Sequence, residues 1–174
     1  VVPEGVTSIG ERAFYGCSAL SRIVLPLSVD WNVGMYAFDG CSSEVDAVLP
    51  GKLCEIPSGN LKNLVISEGV GYLWMCAFYD CHSLTNVNIP DSVTWISDSA
   101  FEGCSSLTSV TIPANVMRID MRAFANCGSL TNLTIRAGVK TIGDSVFAYT
   151  SSLMAFNVPS DNPALKSVDG MLLS

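Results

Sequence analysis

Residues 77–90 read AFYDCHSLTNVNIP, residues 100–113 read AFEGCSSLTSVTIP and residues 123–136 read AFANCGSLTNLTIR. The step between them is 23 residues each time. A fixed interval of this size has to be read before local propensity, because a repeat changes the meaning of every segment inside it. Ala-Phe recurs at Phe14, Phe38, Phe78, Phe101 and Phe124, and Val146-Phe147 takes its place later, so the Phe spacings are 24, 40, 23, 23 and 23. The gap of 40 holds one ordinary unit and a short one. In the stretch KLCEIPSGNLKNLVIS (52–67), Ile56 takes the place of Ile9, and Leu64 and Ile66 take those of Ile23 and Leu25.

Written from its proline, the unit is P-x-x-V-x-x-I-x-x-x-A-F-x-x-C-x-x-L-x-x-V-x-I, with Val93, Ile96, Ala100, Phe101, Cys104, Leu107, Val110 and Ile112 as apolar members. They follow neither period 2 nor period 3.6 throughout. Leu107, Val110 and Ile112 end in the alternation of a short strand, whereas the spacing of Ile96, Ala100, Phe101 and Cys104 predicts a short helical turn. A strand and a turn in about 23 residues cannot bury their own apolar face, but stacked copies can. The pattern therefore predicts an α/β repeat solenoid of about seven 23-residue coils, with a parallel sheet on one face and helical turns on the other. At the usual strand spacing the rod is about 35 Å long. The solenoid is expected over residues 1–159, with a truncated unit at about 50–66. Residues 160–174 form a terminal segment expected to run on into further sequence.

The 174 residues are 49% hydrophobic and 14% charged, the balance of a globular chain rather than a disordered one. A net charge of −7 disfavours nucleic acid and anionic lipid as partners. No apolar run reaches the roughly 20 residues of a spanning helix. The opening VVPEGVTSIG has no initiator Met and no signal-peptide pattern, and is read as the start of a fragment.

The strand half, L-x-x-V-x-I, is that of a leucine-rich repeat. GVTSIGERAFYGCSALSRIVLP (5–26), SVTWISDSAFEGCSSLTSVTIP (92–113) and NVMRIDMRAFANCGSLTNLTI (115–135) closely resemble BspA-like leucine-rich repeats. The resemblance covers essentially all of residues 1–159. It implies a right-handed, horseshoe-like solenoid on a secreted or surface-anchored protein, and a role in adhesion to host, matrix or neighbouring-cell proteins. The short third unit, and Glu44 where Leu is expected in the second, should bend the solenoid locally.

Catalytic chemistry finds little support. Of the seven cysteines, Cys17, Cys41, Cys81, Cys104 and Cys127 share one repeat position. Neighbours one coil apart have parallel rather than convergent Cβ vectors, so a column of buried thiols packing as small hydrophobes is expected. Cys54 and Cys76 fall outside the column and are the better candidates for a reactive or paired thiol. His82 follows Cys81 as a surface histidine, without a zinc spacing. Asp39, Asp80 and Glu102 suggest a solvated acidic stripe, whose members diverge too far to hold calcium. Glycine-rich phosphate loops are absent. No enzyme, metal or cofactor is expected.

A binding surface is expected instead. Between the inward Val and Ile of each unit, one outward position holds Tyr72, Trp95 and Arg118 in turn, with Trp31 at or beside it in the second unit. Exposed Trp and Tyr are the material of interface hot spots; sideways packing on Met75, Arg118 or each other is the plain alternative. On the sheet face, one outward column runs Arg22, Asp46, Asn63, Asn86, Ser109, Asn132, Ala155, and the next Val24, Val48, Val65, Asn88, Thr111, Thr134, Asn157. Asn86, Asn88, Thr111, Asn132 and Thr134 thus form a nearly uncharged recognition face, although strand propensity and amide ladders explain the same residues. Three roles stay open: an extracellular protein-binding or adhesion module, a structural spacer or end-to-end self-assembling segment, and carbohydrate binding through the aromatic flank.

Overall fold

The computed structural model describes residues 1–29, 33–34, 36–38, 40–41, 61–160, 162 and 165, together with the backbone of 45–49, 166–168 and 171–173. Thirteen strands run along the described chain: β1 (Arg22–Val24), β2 (Val45–Leu49), β3 (Leu61–Ile66), β4 (Tyr72–Leu73), β5 (Asn86–Asn88), β6 (Trp95–Ile96), β7 (Ser109–Ile112), β8 (Arg118–Ile119), β9 (Asn132–Ile135), β10 (Thr141–Ile142), β11 (Ala155–Asn157), β12 (Lys166–Val168) and β13 (Met171–Leu173). The long sheet has the order β1-β2-β3-β5-β7-β9-β11, and a second sheet the order β4-β6-β8-β10. All pairs in both are parallel, because each coil returns to the same level before the next strand begins. Only β12 and β13 pair antiparallel, as a closing hairpin.

The molecule is a parallel-sheet solenoid, and about four turns of some 23 residues are regular. These are the coils that contribute a strand to each sheet: β4 with β5, β6 with β7, β8 with β9 and β10 with β11. Four such coils, against the seven expected, are regular among the described residues. β1 to β3 extend the long sheet; among the described residues of their coils, an isolated bridge from Ile9 to Val33 marks the line of the second sheet. Most of the truncated unit, residues 50–60, lies outside the described residues, as do Glu44, Cys54 and Asp39.

The expected helical turns are also corrected: no helix occurs among the described residues. The reason is a pair of left-handed residues four apart on either side of each Ala-Phe. Ser99 has φ 54° and Gly103 φ 80°; Cys76 and Asp80, Arg122 and Asn126, and Ser145 and Tyr149 repeat the pattern at 56–59°. Only three residues separate them, too few for an α-helical turn. The backbone instead alternates between two kinds of hydrogen bond. Ala100, Glu102 and Cys104 donate three residues back, to Ser97, Ser99 and Phe101. The N–H groups between them, those of Ser99, Phe101 and Gly103, donate to Met121, Ala123 and Ala125 in the next coil. The turn is thus a third ladder between coils, and no buried amide there is left unpaired.

Phe78, Phe101, Phe124 and Phe147 stack inside these ladders, with centroids 5.1, 5.1 and 6.0 Å apart and ring planes within 20°. Phe14 and Phe38 stack in the same way at 5.2 Å. Leu84, Leu107 and Leu130, with Ala77, Ala100 and Ala123, complete a fully buried core. The cysteine column has a reason beyond volume. The thiols of Cys41, Cys104 and Cys127 each donate at 3.3 Å to the Phe carbonyl of the coil before, those of Phe14, Phe78 and Phe101. That carbonyl also accepts the Cys N–H of its own coil. Cys17, at the same position in the first coil, is exposed and departs from the expected buried column.

Candidate binding surfaces

Parallel pairing of β4, β6 and β8 puts Tyr72 opposite Trp95 and Trp95 opposite Arg118, with Thr141 next on β10. Three of the four residues expected on this flank therefore meet; the fourth, Trp31, lies outside the described residues. Tyr72 and Trp95 are each 39% exposed, although their strand partners Leu73 and Ile96 are fully buried. Their ring centroids are 6.5 Å apart, and on the other side the Arg118 guanidinium sits 5.3 Å from the Trp95 ring centre. Trp74 packs edge-on against Tyr72 at 4.8 Å.

Sequence reasoning missed the residue that fixes this row. Asp120, 6% exposed, accepts the indole N–H of Trp95 on Oδ2 at 2.7 Å and the Arg118 Nε on Oδ1. Arg118 is therefore held beside Trp95 at once by an ion pair and by the ring. The signal was present: Asp120 takes the place filled by Gly10, Ser97 and Gly143 in other units. Met75, Met117 and Met121, 49–58% exposed, border the row and give it adaptable apolar surface. The result is an ordered aromatic ledge along one side of the stack.

The long sheet presents the second surface. Its register places Asn63, Asn86, Ser109, Asn132 and Ala155 in one column, and Thr111, Thr134 and Asn157 in another. Val65 and Asn88 pair in the latter line as well. Asn86, Asn88, Thr111 and Asn132 are exposed and Thr134 is half-buried. Part of the column is an internal ladder, since Asn86 Nδ2 donates to Asn63 Oδ1 at 3.0 Å. A threonine column reinforces the start of the sheet: Thr85, Thr108 and Thr131 donate their hydroxyls to the carbonyls of Lys62, Thr85 and Thr108 respectively.

The reactive-group candidates resolve as structure. Glu102 is not part of a solvated stripe: it is 6% exposed, paired with Arg122 at 2.6 Å and bonded by Ser99 and Asn126. Asp80 aligns with Gly103 rather than with Glu102, because its N–H bonds the Glu102 carbonyl. His82 is exposed and meets the Gly103 carbonyl through Nδ1 at 3.0 Å. The Cys104 thiol is pushed well above its ordinary value by hydrogen bonding with Cys81 and by burial, and burial pushes Cys127 up to about 12. Such thiols stay protonated at neutral pH and are poor nucleophiles. Among the described residues no group of His, Cys, Asp and Glu converges as metal ligands would, and no helix is long and apolar enough to cross a membrane.

Comparison with known proteins agrees with this architecture. The family description "BspA type Leucine rich repeat region" matches in six copies over residues 1–59 and 56–168. Among solved structures, a leucine-rich cell surface protein of Faecalibacterium prausnitzii is 25% identical with a TM-score of 0.56, over 91% of this chain and 52% of its own. The pneumococcal vaccine antigen PcpA, 19% identical, shares the fold at a TM-score of 0.56 over 90% of this chain and 45% of its own. A leucine-rich repeat protein of Eubacterium ventriosum does so at 21% identity and 0.52, over 84% of this chain and 50% of its own. The chain thus spans about half the length of these proteins. Among curated proteins no sequence match is found. With stacked phenylalanines, a thiol column and a family match running nearly end to end, the chain belongs to the BspA-type leucine-rich repeat family.

Proposed function

We propose that this chain is a non-catalytic protein-binding module of an extracellular or cell-surface protein, serving adhesion to a matrix or neighbouring-cell protein. The observation that carries the reading is the ledge of Tyr72, Trp95 and Arg118. It stays exposed on strands whose alternate residues form the core, and Asp120 orders it before any partner arrives. Interfaces concentrate affinity in such rigid aromatic and arginine anchors. The sheet face of Asn86, Asn88, Thr111, Asn132 and Thr134 offers a second, polar contact area. The F. prausnitzii relative, itself a cell surface protein, supports the location.

Pull-down against matrix and cell-surface proteins tests the reading. A Tyr72→Ala/Trp95→Ala double variant is expected to weaken capture by about thirtyfold or more, the effect of losing a hot spot. Retained capture by this variant and by a Trp31→Ala/Trp95→Ala variant refutes the ledge.

The structural reading, a self-assembling segment, has one observation in its favour. At the first coil Val2, Ile9, Phe14, Leu20 and Ile23 line an open apolar groove of about 310 Å³. Concentration-dependent light scattering that vanishes in a Phe14→Ser variant would favour it. Sugar binding has less support, because the Arg118 guanidinium sits over the Trp95 ring and Tyr72 packs beside it at a tilt, which narrows the flat ring face a sugar would stack on.

A further inference from the structure

We infer that the rim of the long sheet carries a second binding site, separate from the aromatic ledge, for an extended peptide segment bearing a basic and an acidic side chain four residues apart. The rim is where each coil leaves the long sheet. There a groove of about 420 Å³ is lined by Glu68, Asp91, Asn88, Ser109, Thr111 and Arg136, over a floor that includes Val87 and Val110. This volume lies within the range of ligand-binding clefts, roughly 300–1,000 Å³.

Three observations point to a ligand. First, Arg136 breaks the repeat: the corresponding positions hold Pro26, Pro50, Pro90, Pro113 and Pro159, with Ser67 in the truncated unit, and the proline that ends most strands is here replaced by an exposed cation. Second, its guanidinium makes no ion pair among the described residues, and neither does Glu68 or Asp91. Arg12, Arg118 and Arg122, by contrast, are each paired with a carboxylate. Third, the Asn88, Ser109 and Thr111 side chains make no hydrogen bond among the described residues, unlike Asn86 one column away. The groove therefore presents two carboxylates at one end, a guanidinium at the other, and an amide and two hydroxyls for a peptide backbone between them.

Register fixes the spacing. The 23-residue pairing aligns Glu68 with Asp91 one coil along, and Pro90 with Pro113 and Arg136 two coils along. At about 4.8 Å per strand, Arg136 stands about 12 Å from the midpoint of the two carboxylates. An extended peptide rises about 3.3 Å per residue and returns to the same face at even steps, so a separation of four residues, about 13 Å, matches. A separation of three falls on the opposite face. On a chain of net charge −7, an isolated cation at one end of an acidic groove selects a bipolar partner over a merely basic one.

The test uses end-capped, fluorescein-labelled serine-rich peptides carrying one lysine and one glutamate, titrated with the whole chain by fluorescence anisotropy at low salt. Peptides with the pair four residues apart, in one order or the other, are expected to bind about tenfold more tightly than the all-serine peptide and than one with the pair adjacent. Arg136→Glu is expected to weaken the four-apart peptide about tenfold, and to bind instead a peptide whose glutamate is changed to lysine. Arg136 is an exposed side chain, and circular dichroism confirms that the variant is folded. Equal binding of all peptides, or no response to Arg136→Glu, overturns the proposal. So does preferential binding of glycans on an array that survives Arg136→Glu. The Tyr72→Ala/Trp95→Ala variant is expected to bind the peptides unchanged; loss there assigns them to the ledge and overturns the rim site, whereas failure of the ledge pull-down leaves the rim result standing.

Discussion

Replacing Phe101 by alanine tests the physical basis of the whole stack. Phe101 is fully buried and lies 5.1 Å from both Phe78 and Phe124, with ring planes 20° and 9° from parallel. Removing a buried Phe side chain costs about 3–5 kcal/mol through lost transfer energy and the cavity left behind. Because parallel ladders fix the coils above and below, the gap closes poorly, and the upper part of that range, about 4–5 kcal/mol, is expected. Phe147 is the contrasting site: half-buried, 6.0 Å from Phe124, with Phe156 edge-on at 5.3 Å on its other side. Partial exposure reduces its loss to about 2 kcal/mol. Urea unfolding followed by circular dichroism and by tryptophan fluorescence measures both. With an m-value of roughly 2 kcal/mol/M, Phe101→Ala should lower the midpoint by about 2 M and Phe147→Ala by about 1 M. In a nearest-neighbour solenoid the central lesion should also pull the two probes apart, as the halves lose their coupling. A cost for Phe101→Ala no greater than for Phe147→Ala, with coincident probes, would refute the stacked-coil account.

Gly103→Ala should be destabilising by about 1–3 kcal/mol, since its backbone sits at φ +80° and a Cβ there comes within 3.2 Å of the Asp80 Cα; thermal unfolding should fall by several degrees. Thiol titration at pH 8 should label exposed Cys17 quickly, while buried Cys81, Cys104 and Cys127 react only after denaturant is added; fast labelling of the last three would contradict the column. Because the Cys127 thiol is raised from 9.0 to about 12 in the folded state, its contribution is complete below pH 9 and lost as pH climbs from 9 to 12, so the urea midpoint should fall across that window and Cys127→Ala should flatten the fall. Asp120→Ala should cost only about 1 kcal/mol, because Trp95 and Arg118 can both return to water, yet should weaken ledge binding nearly as much as Trp95→Ala.

Much of this arrangement was legible because each repeat is read against its neighbours. Phe101, Cys104, Leu107, Val110 and Ile112 recur at one step, and a face that recurs must be shared. The same comparison gave the sheet columns, from Asn63 through Asn86 and Ser109 to Asn132, by counting alone. Two features resisted. The segment around Ala100-Phe101 has the i, i+4 spacing of a helix, but left-handed Ser99 and Gly103 cut it to three residues, and a serine at positive φ carries no sequence signature. Glu102 looked exposed because glutamate usually is; its burial depends on Arg122, Ser99 and Asn126 arriving from two coils, a coincidence that one unit cannot reveal.

Departures from the repeat are where a solenoid of this kind can carry specificity. A position that maintains the stack mostly keeps its residue type from coil to coil: Phe78, Phe101, Phe124 and Phe147 in the ring stack, Cys81, Cys104 and Cys127 in the thiol column and Thr85, Thr108 and Thr131 against the neighbouring strand, with Thr150, Lys62 and Met154 as the exceptions at the column ends. A residue that differs from its column cannot be explained by stacking, and must be neutral, compensated or directed outward. Asp120, in a column that holds Trp74, Ser97 and Gly143 in the other regular coils, is compensated by Trp95 and Arg118, and together they make the ledge. Arg136, in a column mostly of prolines, has no such compensation among the described residues, and it opens onto a groove where the side chains of Glu68, Asp91, Asn88, Ser109 and Thr111 are equally unengaged. Exchanging Arg136 for proline would therefore restore the repeat, cost the stack little and remove the bipolar peptide preference. Exchanging Phe124 for any other residue would do the reverse, damaging the stack while leaving the rim chemistry in place wherever the coils still hold together.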